Sequence, residues 1–414
     1  MIKRKIGTKM PNKFMMFCLI FALTIGNMGI AKAQEKQCAV EEMVLQKYKN
    51  ALLSRNAESF NLPFEDPEKE NLFLSFLEWR TAMMDILNVA YSTYEYEITD
   101  VTVETDGELQ ALTVCFNETH QYSNGAGNGA SYGLVMRIEA KTSSDGIKLM
   151  DISFENDDFY NYFMEQMIVP TTESMGETDT VREQTDRLIV DLYELKAEMD
   201  SVYLKQRDSQ REPADDEEIA PYATSCIYSG SMGASYANKY ANQRNTSFYL
   251  ANGGDCTNFV SQCIWAAYGG WSTSMSATAM KNHITNKVRM TSTWYAGSGG
   301  GSPAWENVDR LWDYAVGNSG NGPKARGYNN GGYYTGILPI DIAVGDVLQK
   351  SKDGSDYTHS MYVIGTPGGS NPQYDEIIIA QHSSPLAIAT LAESLATEET
   401  YYRQMHFITN NFDK

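Results

Sequence analysis

Apolar side chains recur at helical spacing in two segments early in the chain, residues 36–54 and 69–90. Four segments with strand-like alternation follow, separated by Asp-Gly and Gly/Asn turn sequences. These strands are predicted at residues 93–104, 109–120, 131–141 and 147–155. Two helices followed by a four-stranded antiparallel meander predict a small α+β domain.

A long polar helix is predicted at residues 178–211, where apolar side chains are spaced alternately by four and three. This seam consists of Leu188, Leu192, Leu195, Met199 and Val202. It spans only two heptads, so we expect the helix to pack on its own chain rather than in a coiled coil, and the protein to be a monomer. The charged, proline-containing residues 212–218 are predicted to form a linker.

The N-terminal residues have the pattern of a secretory signal peptide. Residues 1–33 contain six basic side chains and no acidic one, an apolar stretch at 14–25, and small residues at Ala31 and Ala33. At ~1.5 Å per residue, this stretch is too short to span ~30 Å of hydrocarbon. We therefore expect cleavage near Ala33, a secreted or cell-envelope-associated protein, and no membrane span after cleavage.

Charge is distributed unevenly along the chain. The protein carries 53 acidic and 33 basic side chains, a formal net charge of −20. Residues 34–220 hold 39 acidic and 15 basic side chains, whereas residues 221–414 hold 14 and 12. Because phosphate binding requires clustered Lys and Arg, we expect no nucleic-acid partner. The predicted parts are a signal peptide (1–33), an acidic α+β accessory domain (34–175), a helix and linker (176–220), and a second domain (221–414).

The second domain contains a candidate nucleophile. Residues 253–263 predict a Gly-Gly turn followed by a helix, with Asp255 as its N-cap and Cys256 in its first turn. A thiol at a helix N-terminus is exposed to the positive end of the helix dipole, which favours the thiolate. Cys263 lies two turns further along the same face and is interpreted as a buried structural thiol.

A cysteine nucleophile needs a base, and two histidines lie at the ends of predicted strands. His359 opens one strand and His382 closes the next. The predicted hairpin register pairs Val363 with Ile378 and Met361 with Ala380. His359 then faces His382, with their Cβ atoms ~5 Å apart, as expected for a general base oriented by a second polar group.

These motifs resemble the bacterial putative amidase domain family, which is related to papain-like cell-wall peptidases. The resemblance covers roughly residues 230–410 and is carried by residues 253–262, 305–308, 345–347, 359–360 and 381–383. It implies a papain-like α+β domain, with a Cys-bearing helix packed on an antiparallel sheet. It also implies that Cys256 is the nucleophile, His359 the base and His382 the orienting group.

Further roles follow from the same resemblance. The backbone N–H of Cys256, beside the helix cap Asp255, would contribute to an oxyanion hole. Asn258, Trp305 and Trp271 are candidates for the substrate cleft. The implied reaction is amide hydrolysis through an acyl-thioester, on a peptide or amide substrate such as peptidoglycan, without a cofactor or metal.

Two other interpretations stay open. A non-catalytic module could retain the fold and bind cell wall or glycan through the aromatic residues at 328–334 or through Trp271. A zinc hydrolase would use Cys256, His359 and His382 as ligands, although the chain lacks H-x-x-x-H and C-x-x-C spacing. Cys38, Cys115, Cys226 and Cys263 permit three disulfide pairings in an exported protein, and the sequence does not choose among them.

Overall fold

The computed structural model describes residues 2–5, 28–143, 146–168, 180–209, 225–249, 254–329, 337–367, 372–396 and 401–413. The protein is α+β, with helices and antiparallel strands, so the predicted fold class is confirmed. Contacts between Cα atoms divide the chain into two compact units. Unit 1 comprises residues 1–81, 94–118 and 133–185, and unit 2 comprises residues 82–93, 119–132 and 186–414.

The helices and strands predicted for the first half of the chain are present in the predicted order, together with one strand and one helix that the sequence did not indicate. Its helices and strands are β1 (Ile2–Lys5), α1 (Met28–Ser54), α2 (Pro67–Ile86), β2 (Tyr91–Asp106), β3 (Leu109–Tyr122), β4 (Asn128–Ser143), β5 (Gly146–Phe154), α3 (Asp158–Ile168) and α4 (Val181–Ser209). The four predicted meander strands correspond to β2–β5, and their ends differ from prediction by a few residues. Strand alternation is strong enough here to reveal the strands before any tertiary contact is considered.

The core of unit 1 forms where strand alternation meets the apolar faces of helices. On β4, the side chains of Leu134, Met136, Ile138 and Ala140 are buried at every second position. β5 pairs with β4 in antiparallel register. The ring of Phe76 on α2 lies 6.1 Å from that of Phe154 on β5 and 5.8 Å from that of Phe163 on α3. Helices α2 and α3 thus share one aromatic core with β5.

Helix α4 has the one-sided burial expected of a helix packed on its own chain. Leu188, Leu192 and Met199 of the predicted seam are buried, whereas Val190 and Tyr193 are exposed. Among the described residues, no helix is both long and apolar enough to cross a membrane. The apolar stretch of the predicted signal peptide and the predicted linker lie outside the described residues.

Unit 2 contains antiparallel strands whose order across the sheet differs from their order along the chain. Its elements are α5 (Gly230–Tyr240), α6 (Cys256–Ala267), α7 (Ala277–Thr285), β6 (Ala296–Gly297), β7 (Gly300–Gly301), α8 (Pro303–Glu306), α9 (Val308–Gly317), β8 (Lys324–Asn329), β9 (Val347–Ser351), β10 (Tyr357–Gly365), β11 (Ile378–Ala380), β12 (Leu386–Thr390), α10 (Leu391–Ala396) and β13 (Tyr401–Ile408). Within unit 2, the strands lie side by side in the order β12-β11-β10-β9-β13-β8.

Helix α6 is buried along its whole length, because α5, α8 and β10 pack around it. The close approach of α5 depends on Gly233. A Cβ atom at this position would lie 1.9 Å from the hydroxyl of Tyr362 and 2.9 Å from the carbonyl oxygen of Cys263. The candidate nucleophile Cys256 therefore begins a helix whose position is fixed by core packing on several sides.

The described cysteines are all free thiols. Cys263 is a free thiol that is fully buried in α6, which confirms its interpretation as a structural thiol. Burial also raises the pKa of this thiol well above the ordinary value. Cys226 and Cys263 form no disulfide with each other, which excludes one of the pairings that the sequence permits. Cys115 is also free, and the side chain of Cys38 lies outside the described residues.

Candidate functional site

Cys256 occupies the first position of α6, and Gly254 and Asp255 lead into the helix. Gly254 has φ +63°, a conformation that glycine adopts without strain. Asp255 occupies the N-cap position with φ −95° and ψ 0°, and its side chain makes no capping hydrogen bond. Cys256 is 5% exposed and packs in a small apolar cluster with Val308 and Tyr357. The predicted position of the thiol at the helix N-terminus is therefore present.

The carboxylate of Asp255 is used for a buried network rather than for capping. Its Oδ1 accepts a hydrogen bond from Asn258 Nδ2 over 2.7 Å, and its Oδ2 lies 2.8 Å from His382 Nδ1. Arg244 Nε is 3.3 Å from the same Oδ2. Asp255 thus occupies the predicted cap position, but its side chain joins α6 to the residues that follow β11.

His382 is hydrogen-bonded to residues other than His359, so it does not orient that ring. Its Nε2 lies 2.9 Å from the carbonyl oxygen of Tyr240, and its Nδ1 bonds Asp255. The ring also stacks on Phe259, with centroids 3.9 Å apart and planes at 17°. Because a carbonyl oxygen only accepts, Nε2 carries a hydrogen, and both ring nitrogens are committed to partners other than His359.

The reason for this difference is the register of the hairpin. β10 and β11 pair Tyr362 with Ala380 and Val363 with Ile379, one residue away from the predicted register, and a bulge follows at Val363–Gly365. A slip of one residue exchanges the two faces of a strand. β11 ends at Ala380 and His382 lies beyond it, so the predicted face-to-face pair of histidines does not form.

Gln381 takes the place that the sequence assigned to His382. Its Oε1 lies 2.7 Å from His359 Nε2, and its Nε2 donates to the carbonyl oxygen of Leu386 over 2.7 Å. Because Nε2 of the amide is the donor to Leu386, Oε1 is the acceptor that faces His359. His359 Nε2 then carries the hydrogen, and Nδ1 is the ring nitrogen that can accept a proton.

The residues that flank Cys256 are hydrogen-bonded to residues close in sequence to His359 and Gln381. Thr257 Oγ1 lies 3.0 Å from the hydroxyl of Ser360, the residue after His359. On the other side, the backbone N–H of Asp255 donates to Ser383 Oγ over 2.6 Å. The start of α6 is therefore tied both to the strand of the predicted base and to the segment of its amide partner.

The three predicted cleft residues lie in the core instead. Asn258, Trp271 and Trp305 are 4%, 3% and 0% exposed. Asn258 Oδ1 accepts from the indole N–H of Trp305 over 2.8 Å, while the ring of Trp271 lies edge-on to that of Tyr236 at 5.3 Å. These side chains belong to the packing around α6. The polar groups of Asn258 and Trp305 form a buried hydrogen bond with each other and do not line an open binding surface.

Sequence reasoning missed Gln381 although it directly precedes His382. An amide next to a strand-end histidine is a usable signal, because Asn and Gln can orient an imidazole as well as a second imidazole can. Within the described ranges, no group of three or more His, Cys, Asp and Glu side chains could hold a metal ion. In the zinc alternative His382 would be a ligand, but both of its ring nitrogens already have hydrogen-bond partners, Asp255 and the carbonyl oxygen of Tyr240.

Comparisons with known proteins agree with the resemblance seen in the sequence. Residues 227–408 match the sequence model of a family described as a putative amidase domain, which confirms for this segment the family indicated by its motifs. The family description suggests amide hydrolysis in general and names no bond, substrate or mechanism.

Other comparisons add little. No curated protein matches the chain. A solved structure of a Mycobacterium tuberculosis protein, whose title calls its function unknown, covers 41% of this chain and 95% of its own at 9% identity. Its TM-score is 0.25, so nothing about this protein follows from the likeness.

Proposed function

We propose that residues 227–408 form a cysteine-dependent amide hydrolase with Cys256 as nucleophile, His359 as general base and Gln381 as the group that orients His359. The observation that carries the proposal is the hydrogen bond between Gln381 Oε1 and His359 Nε2, on a strand whose next residue, Ser360, lies 3.0 Å from Thr257 in the helix that Cys256 begins. This arrangement supplies a nucleophile, a base in a fixed tautomer and an orienting group.

The proposed reaction proceeds in two steps. His359 Nδ1 accepts the thiol proton while Cys256 Sγ attacks the amide carbonyl, giving a tetrahedral intermediate whose oxyanion is stabilised by N–H groups at the start of α6. The C–N bond breaks, His359 returns the proton to the departing amine, and an acyl-thioester remains. Water, deprotonated by His359, then attacks the thioester and releases the acid and the free thiol.

Peptidoglycan peptides are the proposed substrates, in an exported protein with a papain-like domain. The support is the family resemblance together with the N-terminal pattern of basic, apolar and small residues. Catalysis by residues of the chain alone requires no metal, so a chelator is expected to leave the activity intact.

The test is hydrolysis of peptidoglycan fragments and model amides by purified protein, by Cys256→Ala and by the control Cys115→Ala. Cys115 is a partly exposed thiol of β3 in unit 1, so its replacement changes the thiol count without touching the proposed site. We expect Cys256→Ala and thiol alkylation to abolish the activity. Cys115→Ala and chelation are expected to leave it unchanged.

Other outcomes distinguish the alternatives. Inhibition by a chelator, with no effect of an alkylating reagent, contradicts the cysteine mechanism and favours a metal-dependent one. Binding to cell wall with no hydrolysis of any fragment or amide favours the non-catalytic module.

A further inference from the structure

Three polar side chains form a row across the sheet of unit 2. Arg403 on β13 pairs with Gln349 on β9, and Gln349 pairs with Ser360 on β10. Arg403 Nε donates to Gln349 Oε1 over 2.7 Å, and Gln349 Nε2 donates to Ser360 Oγ over 3.1 Å. Ser360 Oγ lies 3.0 Å from Thr257 Oγ1 in the first turn of α6. The row ends at the residues that directly follow the proposed base and nucleophile.

Gln349 is held in one amide orientation by its partners. Its side chain is fully buried, and its Nε2 also donates to the carbonyl oxygen of Val308 over 2.9 Å. Arg403 supplies the hydrogen bond that Gln349 Oε1 requires. Without the guanidinium, a buried amide oxygen loses its donor, and the amide has less reason to keep Nε2 towards Ser360.

Arg403 also reaches the site by a second route. Its Nη2 donates to Asp309 Oδ1 over 2.6 Å, and its Cζ lies 3.9 Å from the ring centroid of Tyr357. Tyr357 packs against Cys256. Arg403 is only 7% exposed, and burial lowers the pKa of its guanidinium, while the hydrogen bond that it donates to Asp309 opposes that change.

We propose that Arg403 is a positioning residue of the hydrolase, which holds Gln349 and Tyr357 so that the Cys256 thiol and the His359 ring meet in reactive geometry. The proposal rests on the proposed function. It requires the planar fork of arginine, because one group donates in two directions and stacks on a ring at the same time.

The experiment compares wild type with Arg403→Met, Arg403→Lys and Asp309→Asn, and with Arg310→Met as control. Arg310 is an exposed arginine on the same helix as Asp309. The rate of Cys256 alkylation by iodoacetamide is measured from pH 5 to 9 by mass spectrometry of the Cys256 peptide. Values of kcat, KM and Tm are measured on the same samples.

We expect Arg403→Met to slow the alkylation of Cys256, because a displaced imidazole no longer accepts the thiol proton. Its kcat is expected to fall about 10- to 100-fold with little change in KM. Arg403→Lys keeps the charge but not the fork and is expected to fall between Met and wild type. Asp309→Asn weakens the hydrogen bond and ion pair with Arg403, and the Asp309 side chain is half-exposed, so this variant is expected to fold. It provides the test if Arg403→Met does not fold.

The outcomes separate this proposal from the proposed function. If wild-type Cys256 is alkylated at pH 6 no faster than Cys115, and no amide is hydrolysed, the proposed function is wrong. If the wild type is active and dependent on Cys256 while Arg403→Met and Asp309→Asn have its profile and kcat, only the positioning role is wrong. Complete rescue by Arg403→Lys also contradicts the role assigned to the planar fork.

Discussion

The amide of Gln381 decides which nitrogen of His359 can act as a base. Replacing it by alanine in Gln381→Ala leaves the ring free to rotate and to change tautomer, so kcat is expected to fall about 10- to 100-fold. Gln381→Asn keeps an acceptor on a shorter stem and is expected to recover part of the loss. Steady-state kinetics with the exposed Gln243→Ala as control provides the measurement. Wild-type kcat in Gln381→Ala contradicts the orienting role.

In this arrangement His382 stabilises the fold and takes no direct part in the reaction. Asp255 is 2% exposed, and His382→Ala removes a partner of its buried carboxylate together with the ring stacked on Phe259. Asp255 keeps Asn258 and Arg244 as partners, so the lost hydrogen bond is expected to lower the free energy of unfolding in urea by about 1–3 kcal/mol. Loss of activity in His382→Ala at wild-type stability and helix content contradicts this assignment and restores a direct role in the reaction.

At the scale of elements, the contact between α5 and β10 sets the position of α6. Gly233→Ala places a methyl group 1.9 Å from the hydroxyl of Tyr362, so the helix or the ring must move. We expect a loss of about 1–3 kcal/mol in urea unfolding. Gly299→Ala is the matched control because a Cβ there meets no atom within 4 Å, and its expected effect is below about 0.5 kcal/mol. Equal midpoints for the two variants contradict the close packing of α5.

The same scale explains what the sequence could predict. The strands of the meander and the helix beginning at Cys256 follow from local alternation and turn residues, which depend on neighbours in sequence. The register of β10 and β11 depends on a bulge after Val363, and tertiary packing selects it. The sequence therefore places Cys256 at the start of a helix, as the structure has it, but it pairs His359 with His382, whereas Gln381 is the residue hydrogen-bonded to His359. Asn258 was predicted to line the cleft, and its burial could not be seen in the sequence because it depends on the tertiary contact with Trp305.

At the scale of the whole molecule, acidic side chains are concentrated in residues 34–220, and Asp157 is among those that are buried in unit 1. Asp157 is 6% exposed, and its Oδ1 accepts from the backbone N–H of Tyr160 at the start of α3. Burial raises the pKa of Asp157 from 3.8 to about 6, although the charge of Arg80 and the hydrogen bond from Tyr160 act in the opposite direction. A carboxyl group of this kind makes stability depend on pH.

The sign of this dependence follows from proton binding. Between pH 4 and 6 the folded chain holds the Asp157 proton more tightly than the unfolded chain does, so this stabilisation is complete below pH 4 and is lost as pH rises through about 6. The change amounts to about 3 kcal/mol. Asp157→Asn resembles the protonated form and can still cap α3, so it should match wild type at pH 4 and exceed it by about 2–3 kcal/mol at pH 7 in urea unfolding. Asp66→Asn, at the partly exposed cap of α2, is the control. An Asp157→Asn curve parallel to wild type from pH 4 to 7 contradicts the raised pKa, because the difference between the two proteins has to grow as the buried carboxyl group ionises.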